Sequence, residues 1–411
     1  MQTRCCIAGG GPAGLMLGFL LARAGVDTIV LEKHRDFLRD FRGDTIHPST
    51  MAVMDELGLL VEFLKLPHEP VRALTAQFGK SRIKIADLTH LRVPAPFIAM
   101  MPQWDFLSFL ARHGATYPTF KLMMETEAVG LIVEGERTVG VRTRSNGQDS
   151  EIRADLVVAA DGRASTLRRA AGFAPVEFGA PMDVMWFALP RQASDTKETQ
   201  GRFDAGRIFI MLNRGDYWQC AFVIPKDSND RVRSAGLPAF RDSLRPLLPV
   251  PPDRADTITS WDQVKLLTVQ VDRLEHWWKP GFLCIGDAAH AMSPVGGVGI
   301  NLAVQDAVAA ANILAVPLRQ GGLSETHLAA LEKRRLWPTR VTQRLQLLIQ
   351  NGLIAPALAE QGELKPPLVL RLLASMPGFS RLPARLLAMG VRPEHLGPAL
   401  RHVYVKSPPL A

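Results

Sequence analysis

The chain has 411 residues, 47% hydrophobic and 21% charged, a composition that excludes global disorder and allows a large buried core. The formal net charge is +8, but aromatic residues do not interleave the C-terminal basic residues as a stacking platform requires, which argues against nucleic-acid binding. None of the four cysteines forms a C-x-x-C pair, so we expect reduced core cysteines, no metal site and a cytoplasmic location.

The N-terminal elements predict a β-α-β unit that binds a dinucleotide. Residues 4–8 form an apolar strand, residues 15–24 a helix, and residues 28–31 a second strand. The intervening glycines have the spacing G-x-G-x-x-G, which lets the backbone approach a pyrophosphate at a helix N-terminus. Glu32 ends the second strand, where it can accept hydrogen bonds from ribose hydroxyls. The expected cofactor contacts in this unit are Gly9, Gly11, Pro12, Ala13, Gly14, Glu32 and Lys33.

The middle of the chain predicts further α/β structure. Apolar spacing indicates helices over residues 50–66 and 104–112, strands within 71–98, and a hairpin over 131–143. A strand over residues 156–160 ends at Asp161-Gly162, and Ser165 is placed to cap the short helix that follows. Residues 181–225 and 264–271 are strand-like, and the chain is largely helical from residue 302 to about residue 348.

Residues 286–301 combine a carboxylate, a glycine loop and a helix start. The apolar run 282–285 leads into Gly286 and Asp287, and a proline and several glycines precede Asn301, which opens an Ala-rich helix. Such a loop presents backbone N–H groups and a helix N-terminus to negative charge. The Asp287 carboxylate suits a hydroxyl donor, so a flavin with a ribityl chain would satisfy both halves of the segment.

In this order and separation, the three motifs resemble the class A FAD-dependent aromatic hydroxylases (monooxygenases), the para-hydroxybenzoate hydroxylase family. The resemblance runs from about residue 4 to residue 320. It implies FAD as cofactor, with the ribityl chain on Asp287, and a shared role for Asp161 and Arg168 toward FAD and NAD(P)H. The further cofactor contacts that it implies are Arg42, Gln103, Val129, Asp161, Arg168, Gly286, Asp287, Pro294, Gly297, Gly299, Ile300 and Asn301.

The resemblance also implies the architecture. We expect an α/β fold in which a Rossmann-like FAD-binding domain is interleaved with a mainly antiparallel β-sheet substrate domain, plus a helical C-terminal segment. The FAD-binding domain would comprise residues 1–72, 98–180 and 270–345, the substrate domain residues 73–97 and 181–269, and the C-terminal helical segment residues 346–411. No run of 18 apolar residues is present, so no stable membrane insertion is expected.

The activity that the resemblance implies is hydroxylation of an aromatic substrate, phenolic, quinolone or polyketide-like, by an oxidoreductase. NADPH or NADH would reduce the FAD, and dioxygen would then form a flavin C4a-hydroperoxide that transfers one oxygen atom. An alternative is an FAD-dependent reductase or dehydrogenase of the geranylgeranyl-reductase type, without oxygen insertion. A non-catalytic flavoprotein is a third interpretation. The expected assembly is a monomer or a homodimer.

The catalytic candidates are His47 and Pro294, which the resemblance places beside the flavin. His47 could contact substrate or relay a proton, or it could be a loop histidine bonded locally by Asp44 or Thr45, and His290 is interpreted as a residue that orients its loop. Apolar cover is expected from Pro294, Val295, Phe209 and Met211. Tyr217, Trp218 and Gln219 either edge the substrate pocket or belong to a buried aromatic strand.

Overall fold

The structure, a computed structural model, describes residues 1–38, 45–79, 81–196, 198–204, 206–360, 376 and 378–403. Two large β-sheets dominate it, with eight and seven strands in the part of the chain described. The first has a parallel centre, and the second is mainly antiparallel. The mixed α/β fold predicted from the sequence is therefore confirmed.

The first sheet forms because short apolar runs are buried on both faces, as in a parallel sheet covered by helices. Its parallel strands, in spatial order, are Phe282–Cys284, Gln148–Ala159, Gln2–Ala8, Thr28–Leu31 and Phe120–Met123. An antiparallel meander of Thr126–Glu134 and Arg137–Ser145 continues from the long strand, so the predicted hairpin is confirmed. Trp278–Lys279 pairs at the other edge.

Beside this sheet, the helix Pro12–Arg23 packs against two others, Gln103–Gly114 and Gly299–Gln320. The segment Val295–Gln320 is long and apolar enough to cross a membrane by composition, but 78% of its apolar window is buried inside the protein. It therefore has the burial of a core helix. The predicted helix over residues 50–66 is instead two helices, Pro48–Glu56 and Leu60–Phe63, because Gly58 has a φ of +75°.

The second sheet joins strands from two separate parts of the chain. In spatial order they are Lys265–Leu267, Met182–Pro190, Tyr217–Pro225, Arg207–Asn213, Gln200–Asp204, Ala73–Phe78 and Ser81–Asp87. All neighbours are antiparallel except Gln200–Asp204 and Ala73–Phe78. Helices Asn229–Ser234 and Leu237–Leu244 lie in sequence between the strands Tyr217–Pro225 and Lys265–Leu267.

The remaining elements connect the two sheets. Thr45–Ile46, Ile98–Met100 and Glu69–Val71 form a small sheet, and Val176–Glu177 pairs with Asp272–Arg273. The later helices are Thr166–Ala170, Glu325–Ile349, Ala355–Ala359, Arg381–Met389 and Pro398–Arg401, with a π-helical turn at Gln350–Ile354. The described part of the C-terminal segment is helical, as predicted.

Candidate functional site

The N-terminal glycine turn is built for close backbone approach. Gly9 has a φ of +109°, and a Cβ there would lie 2.3 Å from the carbonyl oxygen of Ala160. A Cβ on Gly14 would lie 1.9 Å from the carbonyl oxygen of Gly9. By contrast, nothing lies within 4 Å of a Cβ built on Gly11, which precedes the helix. The turn therefore leaves open space at a helix N-terminus, where a pyrophosphate can bind.

The carboxylate of Glu32 is fixed beside this turn. Its Oε2 accepts a hydrogen bond from the backbone N–H of Gly10 at 3.1 Å, and its Oε1 accepts one from the N–H of His34 at 3.0 Å. Glu32 is buried, whereas its neighbour Lys33 is exposed. The position of Glu32 suits a ribose contact, since its side chain is held at the end of the second strand.

The two glycine segments meet in space. Pro12 begins the first helix, where its missing N–H costs no hydrogen bond, and Ala13 follows it. A Cβ on Gly286, which has a φ of +58°, would lie only 3.0 Å from the Cβ of Ala13. The fold thus brings the start of the first helix against the Gly286 loop, as a shared dinucleotide site requires.

Two carboxylates at this junction retain acceptor capacity. No hydrogen bond to the Asp287 carboxylate is found within the described residues, and the side chain is half-buried. Asp161 accepts from the N–H of Thr166 at 2.9 Å through Oδ2, while its buried Oδ1 has no partner there. A buried oxygen without a donor is costly. The residues present therefore fit a ligand that carries hydroxyl groups, such as the ribityl chain of FAD.

Arg168 ties the Asp161 turn to the Gly286 loop. Its buried guanidinium donates to the carbonyl of Ala288 at 3.2 Å and to that of Arg163 at 2.6 Å. Ser165 accepts from the N–H of Arg168 at 2.9 Å, which confirms the predicted helix cap. The contacts of Arg168 within the protein are thus to backbone carbonyls of both motifs.

A buried acid that the sequence reasoning missed supports the same loop. Asp306 Oδ2 accepts from the N–H of Gly286 at 3.1 Å and lies 2.6 Å from Nε2 of His290. Asp306 Oδ1 accepts from Nε of Arg335 at 2.8 Å, and Arg335 also reaches Glu394. These contacts support the interpretation of His290 as an orienting residue. A lone carboxylate within an apolar helix was the available signal, because a buried charge requires partners.

The loop beside the second helix N-terminus is shaped by protein contacts. Pro294 is half-buried, and Gly297 has a φ of +62° that brings its carbonyl within 2.8 Å of the Thr45 hydroxyl. Gly299 begins the helix and has open space around it, and Ile300 is buried. The first N–H groups of a helix have no intrahelical acceptor, so this end can stabilise negative charge.

The side chain of Asn301 is engaged within the protein. Its Oδ1 accepts from the N–H of His47 and from the hydroxyl of Thr50, both at 2.8 Å, and its Nδ2 donates to the carbonyl of Thr45 at 3.1 Å. Asn301 therefore holds the segment 45–50 against the glycine loop. Its amide side chain serves the loop, which leaves backbone groups for a ligand.

His47 is enclosed and uncharged. Its Nδ1 lies 2.8 Å from the carbonyl oxygen of Leu387, in the C-terminal helix, and its buried Nε2 has no partner among the residues described. Burial lowers the pKa of His47 to about 4, although the Leu387 contact opposes the shift. The expectation of a local bond was wrong for Thr45, since the partner is 340 residues away. Asp44 lies outside the described residues.

Three further predicted contacts lie around this centre. Gln103 begins a helix that packs on Pro12–Arg23. Val129 lies in the meander and lines a cavity of about 610 Å³ together with Arg142. Arg42 lies outside the described residues. The contacts of Gln103 and Val129 with a cofactor remain predictions.

The prediction of apolar cover from Phe209 and Met211 is wrong. Both pack in the cluster that contains Phe240, on the far side of the second sheet. Successive strand residues face opposite sides, so the alternate residues Ile208 and Ile210 share a cluster with Val295 of the glycine loop. Trp218 also faces the far side, where its indole N–H donates to Asp195, whereas Gln219 faces the loop side.

Comparison with known proteins agrees with this geometry. Residues 2–345 match a family model described as FAD binding domain. The chain is 33% identical over 355 residues to a 6-methylpretetramide 4-monooxygenase of Streptomyces rimosus, covering 84% of this chain and 83% of that protein. It is 28% identical to a rifampicin monooxygenase of Streptomyces venezuelae, covering 73% of this chain but only 61% of that relative.

Solved structures show the same fold. A probable FAD-dependent monooxygenase of Pseudomonas aeruginosa aligns with a TM-score of 0.75 and 20% identity over 87% of this chain and 99% of that one. An anhydrotetracycline hydroxylase of Streptomyces rimosus aligns with a TM-score of 0.74 and 22% identity over 95% of this chain and 77% of that one. From its glycine turns, the remaining acceptor capacity of Asp161 and Asp287 and the matched 344 residues from 2 to 345, the chain belongs to the FAD binding domain family, with the class A hydroxylase-like fold.

Proposed function

We propose that the protein is an FAD-dependent monooxygenase that uses NADPH or NADH and dioxygen to hydroxylate an aromatic, polyketide-like substrate. The observation that carries the proposal is the opposition of two surfaces. One is the glycine loop with the Asp287 carboxylate, to which no described residue donates, and the other is an apolar sheet face that packs on Val295. The similarity to a 6-methylpretetramide 4-monooxygenase supports monooxygenase activity on such a substrate.

We assign the cofactor contacts to the residues that the resemblance indicates. The N-terminal turn would hold the pyrophosphate, Glu32 a ribose, and Asp287 the ribityl chain. The backbone N–H groups at Gly299 and Ile300 would stabilise negative charge at the ring edge, aided by the helix dipole. When bound, FAD supplies the redox chemistry with dioxygen. We likewise propose the interleaved domain boundaries given above.

The protein's own side chains would exclude water and keep the site uncharged. Val295, Ile208 and Ile210 form one apolar cluster beside the loop, and exclusion of water protects reactive intermediates from side reactions. His47 is neutral at physiological pH because its pKa is lowered to about 4. We assign it as a positioning residue, because it lies between Asn301 of the glycine loop and Leu387 of the helix Arg381–Met389. Pro294 remains a candidate for contact with the reacting groups.

The test is oxygen transfer by the purified protein. Reconstitution with FAD should give a yellow protein, and aromatic substrates should accelerate NADPH or NADH oxidation, with ¹⁸O from labelled dioxygen in the product. NAD(P)H oxidation without labelled product would favour the reductase of the geranylgeranyl-reductase type. A protein that takes up no FAD would overturn the proposal. The four free, buried cysteines support a cytoplasmic location, and we propose a monomer or a homodimer as the assembly.

A further inference from the structure

One part of the loop-facing side of the second sheet combines accessible apolar surface with two hydrogen-bond donors. This patch, which we call the Trp186–Gln219 patch, consists of six residues: Trp186, Ala188, Ile210, Leu212, Gln219 and Ala221. They share a face because Trp186 pairs with Ala221, and Ala188 with Gln219, across neighbouring strands.

The patch lies beside the glycine loop and is partly exposed. Trp186 and Ile210 belong to the same apolar cluster as Val295, and Leu212 packs in a cluster with Leu387. Ala188 is exposed, whereas Trp186 and Leu212 are half-buried. The two alanines stand diagonally between larger residues, and Ala221 is only 1% exposed, so Ala188 is the accessible small residue of the patch.

Trp186 provides the first donor. Its Nε1 is shut off from solvent and has no acceptor in the described part of the chain. A buried indole N–H normally finds a partner. Trp277 also has an unpartnered Nε1, but its ring lies 5.1 Å from that of His290 in the FAD-domain core. Of these two tryptophans, Trp186 is the one on the loop-facing side of the second sheet.

Gln219 provides the second donor. Its Oε1 accepts from Nε of Arg214 at 2.7 Å, and a guanidinium can only donate. This contact fixes the orientation of the carboxamide, so Nε2 is the end that remains for a ligand. The side chain is 2% exposed, which makes a bound acceptor favourable because a buried amide without one is destabilising.

We propose that Trp186 and Gln219 act as a pair of donors that select an oxygenated, fused-ring aromatic substrate lying flat against Ala188. Diagonal positions on neighbouring strands are about 7–8 Å apart, a span that suits oxygen substituents on different fused rings rather than on one ring. This inference rests on the proposed function and names the substrate class of the same site.

The test measures ligand binding to the full chain loaded with FAD, without reductant. Equilibrium dialysis would compare 1,8-dihydroxyanthraquinone, 9-anthracenemethanol and p-cresol. The parent protein should bind the dihydroxyanthraquinone best. Trp186→Phe and Gln219→Leu should each weaken its binding about fivefold, the worth of one net hydrogen bond, and should change the binding of 9-anthracenemethanol less. The affinity for FAD should stay unchanged in both variants.

Matched controls lie on the opposite face of the sheet or beyond it. Trp261→Phe and Gln200→Leu remove the same groups from the far side and should leave dihydroxyanthraquinone binding at the parent level. Equal losses in the controls, or none in Trp186→Phe and Gln219→Leu, would overturn the donor pair while the proposed function stands. If either variant fails to fold, equal affinity of the parent for all three probes overturns it. An FAD-loaded parent that binds no aromatic probe counts against both proposals.

Discussion

At the residue scale, Asp287 and His47 show how surroundings decide what a polar side chain can do. The Asp287 carboxylate keeps its lone pairs for a ligand, since no described residue donates to it. His47 has one ring nitrogen against a backbone carbonyl and the other enclosed, and burial lowers its pKa to about 4. One residue is equipped for binding and the other for positioning.

Asp287→Ala should weaken FAD binding by about tenfold or more, because hydrogen bonds to a charged acceptor contribute roughly 1.5–3 kcal/mol. The measurement is the FAD dissociation constant of the apoprotein. Asp253→Ala, which removes an exposed carboxylate, should leave that constant unchanged. Parent-like affinity in Asp287→Ala would show that the ribityl assignment is incorrect.

His47 should make folding stability depend on pH. Its folded pKa of about 4 lies below the ordinary 6.5, so the unfolded chain binds the proton first as the pH falls. The stabilising contribution is present above pH 6.5 and is lost toward pH 4, at about 1.4 kcal/mol per pH unit at most. In urea unfolding between pH 7 and pH 4, His47→Gln should lose part of this slope. His276→Gln, an exposed histidine, should retain it, and identical slopes in all three proteins would contradict the assignment.

At the element scale, each glycine loop can present backbone N–H groups to an anion because a helix begins directly after it. Gly14 sits in the first turn of Pro12–Arg23 and packs against the carbonyl of Gly9, and Gly299 begins the core helix. The first turns of the two helices meet at the Gly286 loop, where a Cβ on Gly286 would lie 3.0 Å from the Cβ of Ala13 and 3.4 Å from that of Ala303. Close packing of turn and helix is therefore a condition for binding an anion there.

Gly14→Ala should lower both FAD affinity and stability, since the new Cβ would lie 1.9 Å from the carbonyl oxygen of Gly9. Overpacking of this kind costs about 1–3 kcal/mol. Thermal unfolding and FAD titration would measure the two effects. Gly322→Ala, where nothing lies within 4 Å of the added Cβ, should behave as the parent does. If the two variants are indistinguishable, the turn does not have the tight geometry described.

At the scale of the whole molecule, a buried ionic chain connects the C-terminal segment to the glycine loop. Arg335 bridges Asp306 and Glu394, all three buried, and Asp306 holds the N–H of Gly286. The carbonyl of Leu387 reaches His47 in the same region. Segments distant in sequence therefore fix the position of the Gly286 loop.

Arg335→Met should destabilise the protein by about 3–5 kcal/mol, because it removes the cation that bridges two buried carboxylates, Asp306 and Glu394. It should also weaken FAD binding, since Asp306 would no longer be held against Gly286. Urea unfolding and FAD titration provide the measurements. Arg153→Met breaks a solvent-exposed pair with Glu134 and should alter neither. An Arg335→Met variant as stable as the parent would exclude a supporting role for the buried ionic chain.

The motifs were predictable because their physics is local. The glycine spacing, the acid at the strand end and the Ser165 cap depend on backbone geometry over a few residues, and the structure has the turn, the Glu32 position and the cap as expected. The helix over residues 50–66 was predicted too long, since periodicity did not reveal the left-handed φ of Gly58.

The long-range partners were not predictable. Alternation along Arg207–Asn213 shows that Phe209 and Ile210 face opposite sides, but only the packing of the sheet shows which side meets Val295. Likewise, nothing near His47 in the sequence indicates Leu387, and nothing near Gly286 indicates Arg335. These contacts join segments from different parts of the chain, so the neighbouring residues in the sequence do not predict them.

The sequence by itself determined the α/β class, the FAD family and the two glycine loops, because each depends on residues close together in the chain. Tertiary structure alone decided that Asn301 serves the loop, that His47 is enclosed and neutral, and that Trp186 and Gln219 share one face of the second sheet. Burial and partner geometry set the availability of a polar atom for a ligand. Both quantities exist only once distant segments have packed together.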